Sequence, residues 1–181
     1  HKGIRTDEET ADILTGEHIK LEQLAELDPT TGLYNRRGFE KALIRDVAQL
    51  QRLGKQGTVL AIDIDRLKAI NDAHGHKAGD QLIEATAKAI KGHTRQADLA
   101  ARLGGDEFAI FLYDANEDKA GEVAERLQEF FVQSVKGKVY QISSLSIGIC
   151  EMGKYTPEEM MNHADEALYK SKVPRDAISI F

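Results

Sequence analysis

Apolar positions along the chain fall into short continuous runs separated by stripes of helical spacing. Thr58-Val-Leu-Ala-Ile-Asp-Ile64 is apolar and β-branched, and predicts a buried strand that ends in acid. Leu99-Ala-Ala-Arg-Leu103 and Phe108-Ala-Ile-Phe-Leu-Tyr113 predict two strands joined through Gly104-Gly105, a dipeptide that favours a tight hairpin. Tyr140 to Ile149 alternates as a further strand, and Ala177 to Phe181 is short enough for a last one. Helical spacing runs from Arg37 to about Leu53 (Phe39, Leu43, Val47, Leu50) and stops at Gly54 to Gly57. A short helix follows from Arg66 to about Ala73, then a loop bracketed by Gly75 and Gly79, then an amphipathic helix from Gln81 to about Gly92. Two more helices cover about Glu117 to Val135 and the stretch between Pro157 and Pro174, with proline suited to the first turn and to the stop. The order α-β-α-α-β-β-α-β-α-β predicts an α/β chain of the α+β sandwich kind, a mostly antiparallel central sheet flanked by helices.

Ahead of this block, Asp7 to Leu27 carries a partial apolar stripe (Ile13, Leu14, Ile19, Leu21, Leu24, Leu27). Residues 1–27 therefore predict a helical extension that packs on the domain or pairs with a partner, and the stripe is too brief to choose between them. Asp28-Pro-Thr-Thr-Gly32 breaks it and opens the main domain, residues 28–181.

Composition narrows the function. The 181 residues fit one domain with a short extension, and 41% hydrophobic against 30% charged permits a real core. A net charge of −6 excludes a general binder of nucleic acid or anionic membrane, both of which need a basic field. The single cysteine, Cys150, excludes an internal disulfide, fits a reducing compartment and sits in an apolar run as a core residue. No apolar stretch approaches the roughly 20 residues that span a bilayer, and no signal peptide is visible, so a cytoplasmic location is expected. The chain opens at His1-Lys-Gly without a Met and reads as a fragment, with sensor or membrane segments expected N-terminal to it.

Chemistry concentrates at two acidic strand ends. Asp106 and Glu107 follow the glycines directly, and neighbouring carboxylates on a hairpin tip repel each other unless a cation offsets them. By itself such a turn is equally well an exposed acidic loop. Upstream, Asp63 stands where an apolar strand leaves the core; if that strand lies beside the hairpin, Asp63 and Asp106 converge as hard oxygen ligands suited to Mg²⁺. Lys68 supplies a point charge fit for a triphosphate. Asp65 suits capping of the Arg66 helix as well as it suits a metal. Asn71 and Asp80 flank the following loop. A carboxylate accepts from the N1 and N2 edge of guanine and an amide meets O6, whereas adenine would leave the charge unpaired. His74 and His76 lack the further ligands that a metal pair needs.

Together, Asp28-Pro-Thr-Thr-Gly-Leu-Tyr-Asn-Arg36, Asp63 to Asp80, Arg102-Leu-Gly-Gly-Asp-Glu-Phe108, Ser146-Ile-Gly148 and Ala164-Asp-Glu-Ala-Leu-Tyr-Lys-Ser-Lys172 resemble the GGDEF domain of diguanylate cyclases, in order and spacing, from about Asp28 onward. The resemblance implies a fold related to nucleotidyl cyclase and polymerase palms, and the joining of two GTP into cyclic di-GMP with release of pyrophosphate. It implies that Asp63, the carbonyl of Ile64 and Asp106 hold two Mg²⁺, with Mn²⁺ as a substitute. Asn71, His76 and Asp80 would contact guanosine, Lys68 and Lys172 the phosphates, and Asp106 or Glu107 would assist deprotonation of the 3′-hydroxyl. Because one domain has one guanine clamp, a homodimer is expected. Arg95-Gln-Ala-Asp98, with Arg102, resembles the family's product-inhibition site. The chain departs from the family pattern at Leu67 (commonly Phe), at Thr31 (commonly Leu) and after Lys172, where Arg175 comes one place early and the usual glycine is absent. Two other functions compete: a non-catalytic receptor for GTP or cyclic di-GMP, and an adenylyl-type cyclase or polymerase, which the Asn71 and Asp80 pair disfavours.

Overall fold

A computed structural model describes residues 25–181, so nearly all of the expected N-terminal helix lies outside the described residues. Within them the elements follow the predicted order. They are α1 (Arg36–Arg52), β1 (Gly57–Ile64), α2 (Leu67–His74), α3 (His76–His93), β2 (Leu99–Gly104), β3 (Glu107–Tyr113), α4 (Glu117–Val135), β4 (Leu145–Glu151), α5 (Pro157–Lys172) and β5 (Ile178–Ile180). The strands form one mixed sheet in the order β2-β3-β1-β4-β5, antiparallel throughout except for the parallel pair β4 and β5. Every residue of β1 is buried, which is why its sequence is continuously apolar rather than alternating.

Side chains leaving the two faces of the sheet build two cores. On one face Leu60, Ile62, Phe108, Ile110 and Ile147 pack with Leu82 and Ile90 of α3 and Leu127 and Phe131 of α4. On the other, Val59, Ala61, Ala109, Phe111 and Cys150 pack with Phe39 and Leu43 of α1 and Met160, Ala164 and Leu168 of α5. Cys150 is thus a core residue, and burial pushes its thiol up to about 11. Helix starts are set by local chemistry. Asn35 accepts from the Gly38 amide at 2.9 Å, Asn116 from the Lys119 amide at 3.0 Å, and Thr156 forms a reciprocal capping box with Glu159.

Three local expectations are corrected. Asp65 does not cap α2, whose N-cap residue is Arg66, in the left-handed region and with no side-chain cap bond. Its buried carboxylate instead accepts from the hydroxyls of Ser144 (2.7 Å) and Ser146 (2.9 Å) and from the Asp176 amide (3.2 Å). The stretch Tyr140 to Ser144 is a turn, not strand, and the Ser143 hydroxyl donates to the Asp65 carbonyl at 2.8 Å. Gly79 lies inside α3, which begins at His76, so it is a packing glycine rather than a loop glycine.

Helix α5 and strand β4 approach backbone to backbone at Gly148. A Cβ at Gly148 would stand 2.1 Å from the Ala164 carbonyl and 2.2 Å from the Leu168 amide, both rigid backbone atoms. Gly148→Ala is therefore expected to lower stability by about 2–3 kcal/mol, as overpacking against an unyielding wall does. Chemical denaturation that finds less than about 0.5 kcal/mol lost would refute this close seat for α5.

Candidate active site

The end of β1 lies between the hairpin and β4. Asp63 is opposite Glu107 on β3 and opposite Ser146 on β4, and the Ile64 amide donates to the Asp106 carbonyl at 3.0 Å. Asp63 and Asp106, 43 positions apart in the chain by their numbers, are thereby brought side by side, as the sequence predicted conditionally. Asp63 is 5% exposed, and Lys172 at the end of α5 places its Nζ 2.9 Å from Asp63 Oδ2. Burial pushes the Asp63 carboxyl up to about 6. The charges of Asp106 and Asp65 push the same way, against the hydrogen bond and charge of Lys172. For Lys172 itself burial pulls the pKa down, but the bond to Asp63 and the charges of Asp63, Asp106 and Glu107 outweigh it, and the ammonium titrates above its ordinary value.

Two further charged groups join this edge that sequence reasoning did not single out. Arg36 at the start of α1 reaches Glu107 Oε2 at 3.4 Å and also faces Glu40. Asp165 on α5 has a carboxyl pKa above the usual range, from partial desolvation and the charge of Glu107, opposed by Arg36 and Lys172. Both residues stand inside the motifs quoted above, and that was the signal available. Among the described residues no group of three or more His, Cys, Asp or Glu side chains forms a ready metal cage. A pair of hard carboxylates beside a cation fits an ion that keeps most of its other ligands from water or phosphate.

The remaining predicted residues cluster on α2 and α3, which pack together. Lys68 is exposed in the first turn of α2, whose leading amides have no side-chain cap. Asn71 is half-buried, with its Oδ1 buried and without a hydrogen-bond partner. His76 and Asp80 are exposed on the first turns of α3. Past Lys172 the chain turns through Arg175 (φ 58°) and Asp176 (φ 47°), two left-handed residues, and Arg175 is exposed.

The three residues of the expected inhibitory site do not fall together. Arg95 and Asp98 line one cavity of about 240 Å³ between the start of β2 and α4, with His93, Tyr113, Lys119 and Arg126. Within it Asp98 accepts from the amides of Arg95 (2.7 Å) and Tyr113 (3.0 Å). Arg102 is not part of that lining: its guanidinium donates to the Gly105 carbonyl at 3.0 and 3.2 Å and stands 3.5 Å from Asp28. It ties the hairpin tip to the first turn of the domain.

Known proteins of similar sequence and fold identify the family. The sequence model described as "Diguanylate cyclase, GGDEF domain" matches residues 25–176. Diguanylate cyclase DosC of Escherichia coli K12 is 35% identical over 151 residues, which is 81% of this chain and 33% of that protein. A signalling protein of Caulobacter vibrioides is 35% identical over 158 residues, 84% of this chain and 20% of its own length. The chain thus spans a third or less of these two relatives. Among solved structures, the coiled coil and GGDEF domain of DgcB from Caulobacter crescentus in complex with c-di-GMP superposes with a TM-score of 0.82 at 29% identity, covering 96% of both chains. Diguanylate cyclase SiaD of Pseudomonas aeruginosa, in complex with its activator SiaC, gives 0.81 at 28% identity over 96% of this chain and 68% of that one. With the hairpin Gly104-Gly105-Asp106-Glu107-Phe108 set against the acidic end of the central strand in the same fold, the chain belongs to the GGDEF family of diguanylate cyclase domains.

Proposed function

We propose that this domain is an active diguanylate cyclase, condensing two GTP into cyclic di-GMP and pyrophosphate in the cytoplasm. The observation that supports this most is the meeting of Asp63 and Asp106 beside Lys172 at the end of β1. Asp63, the Ile64 carbonyl and Asp106 would hold two Mg²⁺, or Mn²⁺ in their place. When bound, the ions supply charge neutralisation at the attacking and leaving oxygens. Lys68, Lys172 and the uncapped amides of α2 receive the triphosphate as point charges and donors. Asp80 accepts from N1 and N2 of guanine, Asn71 addresses O6, and His76 closes the guanosine side. Adenine would face Asp80 with an acceptor and is rejected.

The reaction is in-line attack of a ribose 3′-oxygen on the α-phosphorus of a second GTP. The new P–O bond forms as the bond to pyrophosphate breaks, and Asp106 or Glu107 takes the hydroxyl proton. Each domain offers one guanine clamp, so two chains must face each other, and the enzyme works as a homodimer. Arg95 and Asp98 form the product-inhibition site: the guanidinium stacks on guanine and reads its Hoogsteen edge, and Asp98 has acceptor sites left after its two backbone bonds. Arg102 acts there only indirectly, through the hairpin that it braces.

Chromatography of a reaction with GTP and Mg²⁺ is expected to show cyclic di-GMP and pyrophosphate. Asp106→Asn should cut turnover by at least about 10³-fold, against less than about twofold for the surface change Glu84→Gln. Retained GTP binding with no product from the parent would make the domain a receptor instead. Arg95→Ala should bind cyclic di-GMP at least about tenfold more weakly in calorimetry while initial rates hold; equal affinity removes the inhibitory assignment.

Asp63 also predicts a pH response in metal-free protein. Its pKa of about 6 lies above the ordinary 3.8, so the folded state binds the extra proton between those values. Stability from the neutral carboxyl is complete below about pH 4 and is lost as pH rises through about 6. Asp63→Asn should abolish that loss and gain about 1–3 kcal/mol at pH 8. Mg²⁺ should raise Tm at pH 8 in the parent and not in the variant; an equal rise in both would take Asp63 out of the metal set.

A further inference from the structure

Gly79 lies in the interior of α3, where glycine is less favourable than alanine, and its φ is not in the left-handed region that would require glycine. The reason for its missing side chain is a neighbour. A Cβ at Gly79 would stand 1.9 Å from Asn71 Oδ1 and 2.8 Å from Cγ, overlapping both, and would crowd Nδ2 at 3.1 Å. The amide of Asn71 is thus seated directly on the Gly79 backbone, and its Oδ1 is buried there with no hydrogen-bond partner. A buried amide oxygen left unpaired is costly, so this placement is not explained by the protein's own hydrogen bonding.

We propose that Gly79 is a specificity-determining residue. The bare backbone at this position forms the seat that fixes the Asn71 amide for the purine base. This rests on the reading of Asn71 and Asp80 as the guanine clamp and extends it to a residue that touches no ligand itself. Even the smallest side chain at position 79 forces the amide into another rotamer. The triphosphate contacts of Lys68 and Lys172, common to every nucleoside triphosphate, are left intact. Base discrimination falls while general nucleotide binding stays.

The test titrates the Mg²⁺ complexes of the non-reacting α,β-methylene analogues of GTP and ATP. Gly79→Ala is expected to lower the ratio of GTP-analogue to ATP-analogue affinity by about tenfold or more, with the ATP analogue changing less than about twofold. Asn71→Ala should lower the ratio similarly, and Gly79→Ala added to Asn71→Ala should change nothing further. Should Gly79→Ala alone fail to fold, the double variant, which relieves the overlap, must recover a parent-like Tm. An unchanged ratio in Gly79→Ala beside a defective Asn71→Ala overturns the proposal alone, as do additive effects in the double variant. An unchanged ratio in Asn71→Ala overturns the guanine clamp, and the proposal with it.

Discussion

Three carboxylates crowd the last turn of the central strand, and their mutual repulsion in a partly desolvated setting is the constraint around which the rest is arranged. Asp63 is nearly closed to water, Asp106 faces it from the hairpin, and Asp65 lies two residues on. Such a cluster is costly unless positive or donating groups answer its buried members. Lys172 answers Asp63, and two serine hydroxyls with the Asp176 amide answer Asp65. The two solutions differ in kind. The Asp65 network is neutral-donor and buried, whereas Lys172 is a charged partner half in solvent.

This division explains why the fold places α5 as it does. The helix rests backbone to backbone on Gly148, and Ser171 near its end donates to the Ile147 carbonyl at 3.0 Å. Lys172 therefore comes from a rigid support rather than a loop. The hairpin side is held as firmly: Arg102 clamps the Gly105 carbonyl and reaches Asp28, while Arg36 restrains Glu107 from α1. Both halves of the site are tied to helices and sheet, and neither depends on the acids attracting one another.

How much of this could be read beforehand depends on whether the signal was local. Strand β1 announced itself by an unbroken apolar run, and the helix starting at Pro157 by the proline in its first turn, so the element order was legible. The pairing of Asp63 with Asp106 was legible only as a condition on strand neighbours, which the order β3-β1-β4 meets. What was hidden is tertiary. Gly79 looked like a turn glycine because a turn and a close approach select the same residue. Ser143 and Ser144 continued an alternating pattern, yet their hydroxyls belong to Asp65 and bend the chain out of the strand. Arg102 was grouped with Arg95 and Asp98 by resemblance alone, and its contact with Asp28 had no signal in the sequence.

The register of β1 against β3 carries one more implication. Because both faces of β1 are packed into separate cores, sliding it by a single residue would exchange the two sets of side chains and ruin both. Insertions and deletions in this chain are therefore confined to the surface connections, and the distance from Ile62 to Asp63 and from Asp106 to Phe108 has no freedom to drift. Variation in such a protein must proceed by replacing residues in place, never by adding or removing them within these strands.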